Sequence, residues 1–206
     1  MRHFWQFRQQ SKQPTVDICI AAECGNTKRI LELLDAGADI NCLNSQQCTP
    51  LLTALHKGNI ETAQILLEHG ANVNLTTMTG WTPLMSATLH GYSQLLVAML
   101  NKGADIDAVT EGGQTALLVA TIFGHNDCAR ILIEHGVDVH NVYDLHGYTA
   151  LMFASANCNQ TVVEILISRG VEVNRMTNDR MTALRMAENR GRTEIVALLK
   201  QAGAKE

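Results

Sequence analysis

No stretch of this chain approaches the ~20 apolar residues that a membrane-spanning helix requires, although 46% of its 206 residues are hydrophobic. The apolar residues are broken into short runs, and there are enough of them for a sizeable core, so disorder is not the default reading. A basic excess is also missing. The formal net charge is −4 with both signs interspersed, and without surplus Lys and Arg nothing drives phosphate contact, which disfavours a nucleic-acid partner. The six cysteines (Cys19, Cys24, Cys42, Cys48, Cys128 and Cys158) form no CxxC pair and are too sparse for a stapled secreted scaffold. They read as reduced thiols of a cytoplasmic protein. The first fourteen residues carry Arg2, Arg8 and Lys12 without an apolar segment or a small-residue cleavage site between them. A Gly-rich phosphate loop after a strand and an HExxH helix are both absent.

What the chain does contain is a repeat. Thr49-Pro50-Leu51-Leu52-Thr53-Ala54, Thr82-Pro83-Leu84-Met85-Ser86-Ala87 and Thr115-Ala116-Leu117-Leu118-Val119-Ala120 follow one another at 33-residue steps. Thr149-Ala150-Leu151-Met152-Phe153-Ala154 and Thr182-Ala183-Leu184-Arg185-Met186-Ala187 continue the series, the first displaced by one extra residue between Val142 and Gly147. A degenerate copy, Val16-Asp17-Ile18-Cys19-Ile20-Ala21, precedes Thr49 by the same step.

Each block reads as a short helix capped by the threonine hydroxyl, with Pro50 and Pro83 at the first helical position, where no amide partner is needed. Glycines four residues beyond the alanine (Gly25, Gly58, Gly91, Gly124, Gly191) end it in a left-handed residue; Cys158 takes that place once, which predicts an altered turn. A second run of helical periodicity follows, such as Ile60 to Leu67, closed by Gly37, Gly70, Gly103, Gly136, Gly170 or Gly203. Alternating segments such as Ala71-Asn72-Val73-Asn74 then lead to the next block. Two short helices and a hairpin cannot bury their apolar face alone, so stability must come from stacking on like neighbours.

Period, threonine-led block and glycine-bounded second helix together resemble the ankyrin repeat over roughly residues 16 to 204. The resemblance implies an all-α repeat fold, an ankyrin solenoid of about six stacked helix-turn-helix repeats with β-hairpin loops. The repeats fall near 16–48, 49–81, 82–114, 115–148, 149–181 and 182–206, in a single domain over 16–206. Residues 1–15 form an N-terminal tail or an extra capping helix. One departure stands out: the histidine that usually follows Thr-Pro-Leu is replaced by Leu52, Met85, Leu118, Met152 and Arg185. Packing substitutes there for polar bonding, which predicts less specified, more mobile hairpins. The last copy carries Arg185, Glu188, Arg192, Glu194, Lys200 and Gln201, as a terminal repeat with one unpaired face should.

In proteins this chain resembles, partners touch hairpin tips and the ends of the first helices. The tip positions are Cys48, Trp81, Gln114, Tyr148 and Met181, with Gln46, Met78, Glu111, Leu145 and Asn178 slightly earlier. The helix-end pairs are His56 and Lys57, Leu89 and His90, Ile122 and Phe123, Ala156 and Asn157, Asn189 and Arg190. Large apolar side chains where the register predicts exposure point to interface anchors, so Trp81, Leu89, Ile122, Phe123 and Tyr148 are the expected anchoring patch. Scattered surface hydrophobes that fold back as packing are the plainer reading. His56, Lys57 and His90 toward one end, and Arg180, Arg185 and Arg190 toward the other, are rim charges that would steer association.

Chemistry finds little support. His69 and His135 sit in the last turn of a second helix, where the dipole favours them. His125 and Cys128 could share a face, but zinc needs four convergent ligands and no second pair is evident. Cys42 and Cys48 bracket one hairpin without establishing disulfide geometry. No cofactor and no metal are expected, nor a nucleophile pair enclosed with an oxyanion site. The aromatic and basic segment Met1 to Pro14 suits a cap or tail better than a membrane anchor. The expectation is a monomeric, non-catalytic adaptor or scaffold for a protein partner. Its alternatives are a regulatory, inhibitor or immunity-type subunit that occludes an enzyme or toxin and, remotely, an atypical enzyme.

Overall fold

A computed structural model describes residues 14–143, 146–157 and 160–205. The expected tail or cap lies outside the described residues except for Pro14 and Thr15, and Cys158 and Leu145 lie outside them too. The chain divides into two compact units, Met1–Met78 and Thr79–Glu206. The first holds helices α1 (Pro14–Glu23), α2 (Thr27–Asp35), α3 (Pro50–Lys57) and α4 (Ile60–Glu68). The second holds α5 (Pro83–Leu89), α6 (Ser93–Asn101), α7 (Ala116–Phe123), α8 (Asn126–Glu134), α9 (Ala150–Asn157), α10 (Gln160–Ser168), α11 (Ala183–Asn189) and α12 (Thr193–Gln201). No helix among the described residues is long and apolar enough to cross a membrane.

The first helix of each pair starts where a threonine caps it. The hydroxyls of Thr49, Thr82, Thr115, Thr149 and Thr182 accept the amides of Leu52, Met85, Leu118, Met152 and Arg185. These helices pack on their predecessors and successors: α1 on α3 in the first unit, and α5 on α7, α7 on α9 and α9 on α11 in the second. Pressed from two sides, α7 is buried from Ala116 through Thr121. Second helices also stack in series, with one face left to solvent: in α2, Ile30 and Leu33 are buried while Lys28, Arg29, Leu31 and Glu32 are exposed. Each fully buried leucine contributes roughly 1.5–3 kcal/mol, which is how pairs too small to fold alone hold together.

The family histidine's positions are filled by core: Leu52, Met85, Leu118 and Met152 are buried, and only Arg185 is exposed. Polar residues among them bond back within their helix, as Thr88 Oγ1 does to Leu84 O (2.8 Å) and Ser155 Oγ to Leu151 O (2.6 Å).

Two devices join successive pairs. Donors at the end of a first helix or the start of a second one reach the last carbonyls of the first helix in the preceding pair. Asn59 Nδ2 bonds Ala22 O (2.8 Å) and Glu23 O (2.9 Å), His125 Nε2 bonds Leu89 O (2.9 Å), Asn157 Nδ2 bonds Ile122 O (3.0 Å) and Arg192 Nε bonds Ala156 O (3.2 Å). A carbonyl only accepts, so His125 carries its proton on Nε2. The second device lies in the alternating segments, which are turns held by short polar side chains. Asp39, Asn72, Asp105 and Asp138 each accept the amide two residues on. Asn41, Asp107 and Asn174 accept the amides of Asn72, Asp138 and Lys205 in the next repeat.

Strands are scarcer than the hairpin reading implied. Among the described residues one antiparallel pair is regular, β1 (Val142–Tyr143) with β2 (Tyr148–Thr149), at the repeat with the extra residue. Three other tips close on a ladder bond from Asn44 N–H to Cys48 O, Thr110 N–H to Gln114 O and Thr177 N–H to Met181 O, each 3.0 Å. Gly80, Gly113 and Gly147 take the left-handed residue of their tips, but Gln47 (φ 57°) and Arg180 (φ 60°) do so with side chains. A left-handed L-residue costs roughly 1–2 kcal/mol, of which added unfolded-state freedom would return part. Arg180→Gly should therefore raise stability by about 0.5–1 kcal/mol in urea unfolding; no gain would mean that Arg185 Nη1, which bonds Arg180 O at 3.2 Å, already holds the tip.

Candidate partner-binding surface

The polar groups of the tips are satisfied without the family histidine. Asn44 Oδ1 accepts the amides of Gln46 and Cys48 (2.9 Å each), while Thr110 Oγ1 and Thr177 Oγ1 accept those of Gln114 and Met181 (3.0 Å each). Neighbouring tips are also tied: Glu111 N–H bonds Thr79 O (3.1 Å) and Asn178 N–H bonds His146 O (2.9 Å). This bonding is at odds with an unspecified tip geometry. The tips of the second unit form a row beside the bridged ends of α5, α7 and α9, and are bonded in two neighbouring pairs.

On that row the expected anchors are graded in exposure. Phe123, at the end of α7, is 56% exposed, and its ring stacks on His125 with centroids 6.4 Å apart. Trp81 is half-buried, its indole Nε1 donating to the buried Ser86 Oγ at 2.9 Å. Tyr148 is half-buried against Phe153, with centroids 5.1 Å apart. Leu89 and Ile122 are half-buried, and their carbonyls are the ones that accept from His125 and Asn157. Part of the patch thus packs on its own repeat, as the plainer reading had it. His90, Gln114 and Arg190 are exposed and Met181 is half-buried. Met78, which closes the first unit, is 78% exposed.

Sequence reasoning missed a second set. Leu43 (50% exposed), Val109 (55%) and Met176 (59%) occupy one equivalent position, directly before Asn44, Thr110 and Thr177. Those three polar side chains turn back into their tips, so the residue before each faces out. Reading apolar residues one place ahead of the tip head would have found them.

The reactive residue types have structural surroundings. Cys128 is buried, and its thiol is pushed up to about 11 by burial and the Asp127 carboxylate. Cys42 Sγ lies 3.8 Å from Cys19 Sγ, both buried. Burial, then the Cys42 thiol beside it, pushes Cys19 up to about 12. His69 and His135 cap their helices, each Nδ1 2.8 Å from the carbonyl four residues back. Among the described residues no three of His, Cys, Asp and Glu gather as metal ligands would.

Stacked pairs of short helices joined by bonded tips define a helical repeat protein. A family model for ankyrin repeats (3 copies) matches residues 18–110 and 94–177, and the chain belongs to the ankyrin-repeat family. An ankyrin repeat domain from Acinetobacter baumannii AYE is 34% identical, covering 91% of this chain and 98% of its own, with a TM-score of 0.81. The ankyrin repeat domain of human ASB11 is 26% identical, covering 91% and 84%, with a TM-score of 0.77. No curated protein matches the chain. Ankyrin repeats are in general protein–protein interaction modules.

Proposed function

We propose that this protein is a non-catalytic adaptor that holds a protein partner against the tips and first-helix ends of its second unit. The supporting observation is Phe123, 56% exposed at the end of α7, with half-buried Trp81, Leu89, Ile122 and Tyr148 on the same row of positions. Aromatics in such settings anchor interfaces because they bury large apolar area with few torsions to fix. Exposed Arg190 and His90 supply a rim that sets approach and salt dependence more than affinity.

The double variant Trp81→Ala/Phe123→Ala tests it. Partner capture from the native cell should fall at least ~100-fold, as hot-spot losses of ~2 kcal/mol or more per anchor imply. Phe123→Ala alone should leave the thermal midpoint nearly unchanged, since surface substitutions stay within about ±0.5 kcal/mol. Full capture by the folded double variant would place the partner elsewhere.

A further inference from the structure

The junction between the fourth and fifth repeats departs from the turn pattern at three positions, and all three line one cavity. Where Asn41, Asp107 and Asn174 accept an amide from the following repeat, this junction has His140. Where Asp39, Asn72, Asp105 and Asp138 close a turn on the amide two residues ahead, it has Glu172, one methylene longer. Where Cys42, Leu75, Ala108 and Asn141 stand, it has Arg175. Short acceptors and uncharged side chains have become an imidazole, a longer carboxylate and a guanidinium.

These residues and Thr149 surround a cavity of about 240 Å³. Buried Val139 and Leu151 form its apolar floor, and the exposed His140 and Glu172 stand at its mouth. Arg175 Nη1 meets Glu172 Oε2 at 3.5 Å, a weak contact, while its Nε is buried with no hydrogen-bond partner among the described residues. A buried donor without an acceptor carries a desolvation penalty that a bound acceptor relieves. Nε and the adjacent Nη2 make the forked edge that matches a carboxylate. Thr149 Oγ1 accepts the Met152 amide at 3.3 Å, which leaves its own proton to donate.

We propose that this cavity binds a small aliphatic amino or hydroxy acid. Its carboxylate sits on Arg175, His140 and Thr149, its short stem on Val139 and Leu151, and its ammonium or hydroxyl against Glu172. Size fits: the cavity has room for about eight waters at ~30 Å³ each, below the ~300 Å³ at which pockets for drug-sized ligands begin. Charge fits as well, because Glu172 repels a second carboxylate and so disfavours diacids.

The test is a proton–nitrogen NMR titration of the full chain with L-valine and with sodium lactate, against sodium chloride and sodium succinate at matched ionic strength. Saturable shifts centred on His140, Thr149, Leu151 and Arg175 are expected from valine or lactate, and not from the two controls. Arg175→Leu, which installs the residue type that Leu75 has at the same position, should weaken binding roughly tenfold or more. Should that variant fold poorly, His140→Asn, which restores the residue type of Asn41 and Asn174, replaces the imidazole by a shorter amide that those junctions turn to the next repeat's backbone, and should weaken binding severalfold. No saturable shift in the unmodified protein up to ~10 mM ligand, the weak end of small-ligand affinity, would overturn the proposal. Undiminished binding by either folded variant, or stronger binding of succinate than of lactate, would do the same.

Discussion

Replacing Gly124 by alanine should destabilise the protein by about 2–4 kcal/mol in urea unfolding, whereas Gly136→Ala should cost only about 1 kcal/mol, although both glycines are left-handed. Their φ angles are 71° and 86°, and an L-residue there costs roughly 1–2 kcal/mol, offset in part by a stiffer unfolded chain. Nothing lies within 4 Å of a methyl built on Gly136. The same methyl on Gly124 would meet Asn157 O at 2.9 Å, and Asn157 is the residue whose side chain bonds Ile122 O from the next repeat. Backbone must shift there, loosening a bridge between repeats, and overpacking of this kind adds roughly 1–3 kcal/mol. Equal losses at the two sites would mean that the junction yields freely and that Gly124 serves its turn alone.

The contrast marks what could and could not be read from the chain. Every glycine stop and threonine start was legible, because each rests on chemistry within a few residues: a hydroxyl three places before an amide, or a φ angle that a Cβ disfavours. Bonds between repeats were not. The reach into the preceding helix is made by Asn59, His125, Asn157 and Arg192, four residues with three side-chain types in common use as a donor to a carbonyl. Neither one residue type nor one position marks it, since Asn59, His125 and Arg192 precede a second helix whereas Asn157 ends a first one. His125 and Cys128 could share a face by spacing alone, and nothing in that spacing tells that the ring reaches Leu89 O. Three tips likewise take their bonds from Asn44, Thr110 and Thr177, acceptors that no family motif marks.

The candidate surface was half legible for a related reason. Register alone says which positions leave the core, and it placed Phe123 and Met78 in the open. It does not say which way a side chain leans once it is there. Trp81 leans because a buried hydroxyl, Ser86 Oγ, lies within reach of its indole, and Tyr148 because Phe153 offers a face. Leu43, Val109 and Met176 precede the tip positions Gln46, Glu111 and Asn178, and face out only because Asn44, Thr110 and Thr177 turn back into their tips, which register does not show.

Alkaline titration should expose the buried thiols. Burial raises Cys128 to about 11 and Cys19 to about 12, against 9.0 for the unburied group. Below pH ~8.5 the thiols are protonated in both folded and unfolded chains, and their contribution to stability is fully present. Above that the unfolded chain releases the proton while the folded chain keeps it. Stability then falls as pH rises toward about 11 for Cys128 and about 12 for Cys19, at a limiting slope of ~1.4 kcal/mol per pH unit per thiol. Cys128→Ala removes one of these terms. At pH 7 it should cost about 1–2 kcal/mol in lost packing, as small core truncations do. By pH ~10.5 the parent has lost ~2 kcal/mol that the variant keeps, so the two should unfold at nearly the same urea concentration. All other groups are common to both proteins and cancel in the comparison. A gap that stays constant from pH 7 to ~10.5 would show that the Cys128 site admits the thiolate, and that its surroundings are wetter than its burial implies.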